Sequence, residues 1–386
     1  MMRERGNPIL HFLDRYLGIP VIAILGHLKR KQLLPSKIET IGLLRTAAIG
    51  DTVLLSAVIA DLRRAFPRTS LICFAGPSNY EIAQMLDGLN DVVKVPISNL
   101  IQGVRAVRSV PVDIMLDFGQ WPRLDALLTL LSRAAFTIGF RTPGQYRHFG
   151  YDLKVEHCSQ VHEMQNFRQL VRALGIETEN VPSLRVPRTK IALSRDYAVF
   201  HLWPGGRRRD LKRWPSERWL QLMDEFARWG IEVVLTGVPS DFDANRDLIS
   251  RASAPTRSFV RNSAGLSLQE TAAILASSCL VVSVDTGVMH MAAAVGVPLV
   301  ALHGPTSGKR WGPVSKRAII IEAPLPECGY ISLGWESISP APACMECIQY
   351  EEVRKACQTL LERGSENLQV ERPVVLPEPI ENKMGH

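Results

Sequence analysis

Four short stretches of this chain combine glycine, hydroxyl, charged and imidazole groups in patterns suited to chemistry on a phosphorylated ligand. The first is Arg45-Thr46-Ala47-Ala48-Ile49-Gly50-Asp51-Thr52. Gly50 permits a tight turn and leaves the start of the next helix open to a ligand. Asp51 and Thr52 then stand at the mouth of a cleft, where a carboxylate can take a proton from a hydroxyl. Asp also favours the helix N-cap, so spacing alone leaves Asp51 between a base and a cap. The second runs from His201 to Pro215. Its Gly205-Gly206 pair leads into Arg207, Arg208, Arg209, Lys212 and Arg213. Backbone amides beside five cations suit phosphate oxygens; a solvated basic loop is the plainer reading. The third is Ser283-Val284-Asp285-Thr286-Gly287-Val288-Met289-His290. Thr286 and Gly287 offer a hydroxyl and amides to a diphosphate. His290 lies one turn further on, where it either faces the same ligand or serves the packing. The fourth, His303-Gly304-Pro305-Thr306 with Arg310-Trp311 downstream, either closes over a nucleotide or is simply a turn.

Positioning these turns requires elements that end where they begin. Short apolar runs at 38–44, 70–74, 92–95, 112–116 and 136–140 read as strands, with helical patterns at 52–66, 79–89, 124–135 and 161–174. The segment 144–158 reads as a loop and 181–189 as a proline-bounded linker. Strands follow again at 197–202, 232–236, 280–283, 299–302 and 318–321, between helical patterns at 216–229, 242–250, 268–277 and 288–295. Such alternation predicts an α/β protein with two parallel sheets, each flanked by helices. Ligands of such sheets bind outside the carboxyl ends of the strands, and all four turns sit there. Two Rossmann-like halves facing across one cleft follow, spanning 38–188 and 189–364, with an arm at 1–37 and a poorly ordered tail at 365–386.

Composition narrows the partners. The 386 residues are 46% hydrophobic and 22% charged, enough to bury a sizeable core without staples. The formal net charge is +7, and residues 1–37 carry +5 of it, with seven basic against two acidic side chains. A nucleic-acid groove would spread basic residues over a folded surface, so that class is set aside. Residues 17–28 are apolar, but a spanning helix needs roughly 20 residues. With Lys29-Arg30-Lys31 behind it, the arm suits an amphipathic helix lying in a membrane interface, or one packed on the protein or a second subunit. Seven cysteines, an odd number, and no signal-peptide pattern predict reduced thiols in the cytosol.

Taken together, the turns have the layout of a GT-B enzyme. The runs AxxGDTVLLSAV, PGGRRRDLKRWP and SVDTGVMHMAAAVGVPLVALHGPT, followed by RWGP, resemble glycosyltransferase family 9, the ADP-heptose:lipopolysaccharide heptosyltransferases, from about residue 38 to about 348. The resemblance implies an N-terminal acceptor domain and a C-terminal nucleotide-sugar domain. It implies that Asp51 deprotonates the acceptor hydroxyl, beside Gly50 and Thr52 on the acceptor side. Lys212, with Arg208 near it, falls on the donor-phosphate position, and Asp285, Thr286, Gly287 and His290 on the diphosphate turn. Asp241 is preferred over Asp243 for the donor ribose; the D-x-D they spell reads as a helix start, not a metal motif. The implied reaction is inverting and needs no metal or cofactor beyond the donor, which the resemblance makes ADP-heptose. The implied acceptor is a lipopolysaccharide core. The implied location is cytoplasmic, peripheral on the inner face of a bacterial inner membrane through residues 8–31, with a homo-oligomer left open. Two features depart from the family pattern. The basic turn is unusually rich in arginine, and Cys328, Cys344, Cys347 and Cys357 include a C-x2-C pair that could ligate zinc or iron, although free thiols are the favoured reading. The rivals are a transferase of UDP- or GDP-sugars in cell-surface polysaccharide synthesis and a nonenzymatic nucleotide-sugar-binding protein. A dehydrogenase lacks its G-x-G-x-x-G after either first strand.

Overall fold

A computed structural model describes residues 12, 14, 16–186, 196–206, 208–333 and 336–368. Its frame is two six-stranded sheets, every strand pair parallel. The first contains β1 (Thr40–Arg45), β2 (Ser70–Ala75), β3 (Asp91–Lys94), β4 (Ile114–Asp117), β5 (Phe136–Arg141) and β6 (Leu153–Glu156), in the order β3-β2-β1-β4-β5-β6. The second contains β7 (Tyr197–His201), β8 (Glu232–Thr236), β9 (Val260–Asn262), β10 (Leu280–Val284), β11 (Leu299–His303) and β12 (Ala318–Glu322), in the order β12-β11-β10-β7-β8-β9. Both are the same doubly wound order, and in both the direction of winding reverses between the first and fourth strands. That reversal opens a crevice beyond the strand ends. In the first sheet it lies beside Arg45 and Asp117, in the second beside His201 and Val284. The central strands are buried along their length, as helices on both faces require, and so read as continuous apolar runs.

The halves are packed against each other. Helix α1 (Gly18–Leu28) belongs to the arm; α2 (Ile49–Ala65) follows β1, and Gly287–Ala294 is the corresponding helix after β10. These last two helices are in direct contact, and one apolar cluster runs through both, with Val53, Leu54 and Val58 alongside Met289 and Ala292. Glu81 accepts a hydrogen bond from the Leu268 amide at 2.8 Å across the same junction.

Several expectations need correction. Segment 144–158 is not all loop, because Leu153–Glu156 pairs with β5. In the arm a helix starts at Gly18, after a turn at Leu17, and buries Ile22. Its basic cluster does not all face outward. Lys29 donates to Thr137 Oγ1 at 2.8 Å and pairs with Asp152 at 2.7 Å, and Lys31 donates to the Tyr151 carbonyl. Asp14 binds Arg123 at 3.0 Å. Phe12, Tyr16, Leu17, Ile24 and Leu28 remain exposed on the arm. No described helix is long and apolar enough to cross a membrane. A helix at Tyr350–Leu368, unanticipated, covers the second sheet with Val353, Ala356, Cys357 and Leu360. The rest of the expected tail, the boundary at 188–189 and most of residues 1–15 lie outside the described residues, as does Arg207.

Candidate active site

Arg45 ends β1, and its side chain turns back into the crevice. It donates to the Ala47 carbonyl at 2.9 Å and the Phe118 carbonyl at 2.8 Å, binds Gln120, and forms an ion pair with Asp51. Asp51 is therefore not an N-cap. Ala48 takes that position, with φ 73° and no capping side chain. A left-handed alanine is strained, and the contacts around it, including the Thr52 amide bond to its carbonyl at 3.0 Å, hold it there. The turn thus rests on Ala48 and not on Gly50, which lies inside the helix. Thr52 does not face the cleft. Its hydroxyl donates to the Ala48 carbonyl at 2.7 Å and accepts from Asn79 at 2.8 Å, and the residue is wholly buried. Asn79 also donates to the Arg45 carbonyl, so Thr52 and Asn79 brace the turn that carries Asp51.

The opposing turn follows β10. Asp285 pairs with Lys212 at 2.7 Å. Burial would raise the Asp285 carboxyl, but Lys212, His303 and His290 hold it well below the usual carboxylate range. Thr286 is the N-cap of the helix Gly287–Ala294, its hydroxyl accepting from the Met289 amide at 3.4 Å. His290 is buried, and burial lowers its imidazole to about 4 despite Asp285 nearby; its Nδ1 has no partner. His201, at the end of β7, is likewise lowered to about 4 by burial and shares a 2.9 Å hydrogen bond with Thr236. Both rings are neutral at physiological pH.

Glycine brings the two turns together. A methyl group added at Gly50 would lie 2.5 Å from His290 Cδ2, and one at Gly287 2.7 Å from Ile49 Cβ. No other residue type permits this approach. Asp51, Lys212, Asp285, Thr286, Gly287 and His290 therefore share one crevice. Arg208 and Asp241 stand further out. Arg208 starts the 3-10 turn Arg209–Lys212 with left-handed backbone and is half-buried. Asp241 accepts from the Val238 amide at 2.9 Å and so starts a helix, while Asp243 pairs with Arg246 at the surface.

A second junction joins Arg310 of the fourth turn to partners in the first half that the sequence did not signal. Glu163, fully buried at the start of the helix Glu163–Arg172, binds Arg310 of the second half and His157 at 3.2 Å. Arg310 also donates to the Val161 carbonyl at 2.8 Å, and His162 Nε2 meets the Gly312 carbonyl at 2.9 Å. Burial would raise Glu163, yet His157 and Arg310 bring it down to about 2. The fourth sequence turn feeds this clasp through Arg310. The cysteines also depart from expectation. Cys328 and Cys344 form a disulfide, because the loop after β12 folds back to bring their Cα atoms to 5.8 Å. That splits the C-x2-C pair; Cys347 and the buried Cys357 are free thiols. Among the described residues, no group of three or more His, Cys, Asp or Glu side chains is disposed to hold a metal.

Two doubly wound halves meeting at their strand ends define the GT-B architecture. It is shared with solved structures of the Escherichia coli ADP-heptose lps heptosyltransferase II (TM-score 0.71, 20% identity, 84% of this chain and 99% of that one) and of a family 9 glycosyl transferase from Veillonella parvula (0.72, 20%, 84% and 98%). The family model described as glycosyltransferase family 9 (heptosyltransferase) matches residues 104–329, and the chain belongs to that family. Lipopolysaccharide heptosyltransferase 2 of Salmonella typhimurium is 34% identical over 131 residues, which is 34% of this chain and 38% of that relative. Lipopolysaccharide heptosyltransferase 1 of Escherichia coli is 34% identical over 131 residues, 33% and 38% respectively. The match thus spans under two fifths of the length of these curated relatives.

Proposed function

We propose that the protein transfers a sugar from a nucleotide-sugar donor, ADP-heptose, to a hydroxyl of a lipopolysaccharide core, inverting the anomeric centre without a metal ion. The observation that carries this reading is the contact between the Ile49–Gly50 turn and the Gly287–His290 turn. It sets a carboxylate and a diphosphate-type helix start on opposite walls of one crevice. Arg45 holds the Asp51 carboxylate in place through their ion pair. As the acceptor oxygen bonds to the anomeric carbon, its proton passes to Asp51 and the bond to the diphosphate breaks with its electrons. The charge gathering on the diphosphate meets Lys212, the Thr286 hydroxyl and the amides beginning the Gly287 helix. Lys212 is held in place by Asp285 until then. The neutral His290 can donate a hydrogen bond there without adding charge. Arg208 and Asp241 are assigned to the outer parts of the donor, phosphate and ribose.

The acceptor is a glycolipid, and the exposed apolar residues of the arm suit peripheral contact with the inner face of the inner membrane. Docking of Lys29 and Lys31 onto the protein moves the weight of that contact to Tyr16, Leu17, Ile24 and Leu28. The deciding experiment is calorimetric titration with ADP-heptose, a UDP-sugar and a GDP-sugar, followed by transfer to a deacylated core oligosaccharide. Binding and turnover of ADP-heptose alone support the reading. Tight binding of a UDP- or GDP-sugar in its place moves the protein to another donor, and donor binding without transfer defeats the enzyme assignment.

A further inference from the structure

Beside the crevice lies a cavity of about 560 Å³, within the size range of small-molecule sites. One wall comes from the first half, at Thr142, Ser159 and Gln160. The other comes from the helical turn Gly308–Trp311 and from the loop after β12 that carries Tyr330 and Ser332. None of the groups assigned to the donor lines it. Four of its lining residues hold a buried polar atom with no partner: Tyr330 Oη, Ser332 Oγ, His157 Nδ1 and Arg310 Nε. Buried donors and acceptors are rarely left unpaired, because desolvating them costs free energy that only a hydrogen bond restores. These four atoms are closed off behind the lining, so what a ligand meets is the exposed polar groups of the cavity, Ser159, Gln160, Lys309 and Glu322.

The charges say which kind. Lys309 and Arg310 are matched by Glu322 and Glu336, and Arg310 is already bound to Glu163. A diphosphate would need an excess of cations. Hydroxyls, an amide, carboxylates and a tyrosine ring instead suit a sugar ring, which offers hydroxyls at its edge and C–H groups on its face. The disulfide Cys328–Cys344 ties down the loop bearing Tyr330 and Ser332, so this wall is formed in advance of binding. Its location favours the acceptor. The donor turns lie at the β7–β10 reversal, whereas the cavity lies beyond β11 and β12 and is shared with loops of the first half. We infer that the cavity is an acceptor subsite, binding a sugar unit of the acceptor glycan next to the one that reacts. The inference rests on the transferase reading above and adds a binding site to it.

The test uses the full chain and a deacylated lipopolysaccharide core oligosaccharide, titrated calorimetrically and used as substrate, with ADP-heptose binding measured separately. Gln160→Ala and Lys309→Ala each remove one exposed polar group of the lining and are expected to weaken oligosaccharide binding and raise its KM about fivefold. Ser159→Trp, at the exposed rim, should block the cavity and raise KM further, with ADP-heptose affinity unchanged in all three. If the three variants hold oligosaccharide affinity within about twofold of the parent, or if the parent protein binds no oligosaccharide, the subsite is overturned. Loss of ADP-heptose binding by the parent would strike the donor assignment instead, and the oligosaccharide titration would still report on the cavity.

Discussion

Gly50→Ala isolates the contact on which the functional reading stands. The added methyl would lie 2.5 Å from His290 Cδ2 and 3.2 Å from its Nε2. Carbon atoms pack at about 3.5–4.0 Å, so the ring or the whole second half must yield by about 1 Å. Locally the substitution is mild. Gly50 has no left-handed backbone and lies within a helix, where alanine gains roughly 1 kcal/mol over glycine. Overpacking against the buried His290 costs about 1–3 kcal/mol. The net change in stability is then between about zero and 2 kcal/mol, small enough for the protein to fold. Transfer should suffer far more, because a 1 Å misplacement across an active site costs about a hundredfold in rate. The assay is steady-state transfer to a core oligosaccharide, with ADP-heptose affinity and urea unfolding measured on the same preparations. His290→Ala completes a double-mutant cycle: without the ring, Gly50→Ala should be neutral or stabilising, with a coupling of about 1–3 kcal/mol. A Gly50→Ala protein that keeps kcat/KM within about threefold of the parent would show that the approach of the two turns does not govern transfer.

Asp51→Asn keeps the size of the side chain and a hydrogen bond to Arg45 but cannot take a proton; kcat should fall by about 10²–10⁴ with ADP-heptose affinity unchanged, and retained turnover would remove Asp51 as the base. Glu163→Gln leaves the buried Arg310 guanidinium without its counter-charge and should destabilise the protein by about 3–5 kcal/mol in urea unfolding; a change under about 1 kcal/mol would mean that the clasp does not hold the halves together. Acid should weaken the fold in two stages. His290, lowered from 6.5 to about 4, contributes stability that is complete above 6.5 and lost as pH falls to 4, while Glu163, lowered from 4.5 to about 2, contributes stability lost between 4.5 and 2. Each is on the order of 3 kcal/mol. Urea midpoints at pH 7, 5 and 3 check this: Glu163→Gln should shrink the lower stage, to which the lowered Asp285 also contributes, and leave the upper one, while an unchanged midpoint between pH 7 and 5 would contradict the contribution of His290 and of His201, which is lowered alike. Deletion of residues 1–37 should release the protein from anionic vesicles in a sedimentation assay, and continued co-sedimentation would place membrane contact elsewhere.

What the sequence carries, and what it cannot, follows from the range of the interactions involved. Central strands such as Leu280–Val284 are buried on both faces, so they are apolar apart from an occasional polar residue such as Ser283, and the runs stand out. The edge strands Leu153–Glu156 and Val260–Asn262 have one neighbour each and are exposed or half-buried; they need no apolar run and leave no such trace. The helix Tyr350–Leu368 did leave one, since Val353, Ala356, Cys357 and Leu360 fall at helical spacing. The turns were visible as turns because glycine, hydroxyl and charge cluster at strand ends, but their roles were not. Whether Asp51 caps its helix depends on Ala48 adopting a backbone that alanine rarely takes, and nothing local announces that. Gly50 reads as a turn residue, yet it is small because a histidine 240 positions later packs against it. Lys29 and Lys31 read as free cations until the chain brings Asp152 and the Tyr151 carbonyl to them. In each case the side chain's chemistry is local and its partner is distant. The crevice is thus a property of how the two sheets meet. A substitution at Ile49, Gly50 or Gly287 can disable it while every charged group in it stays in place.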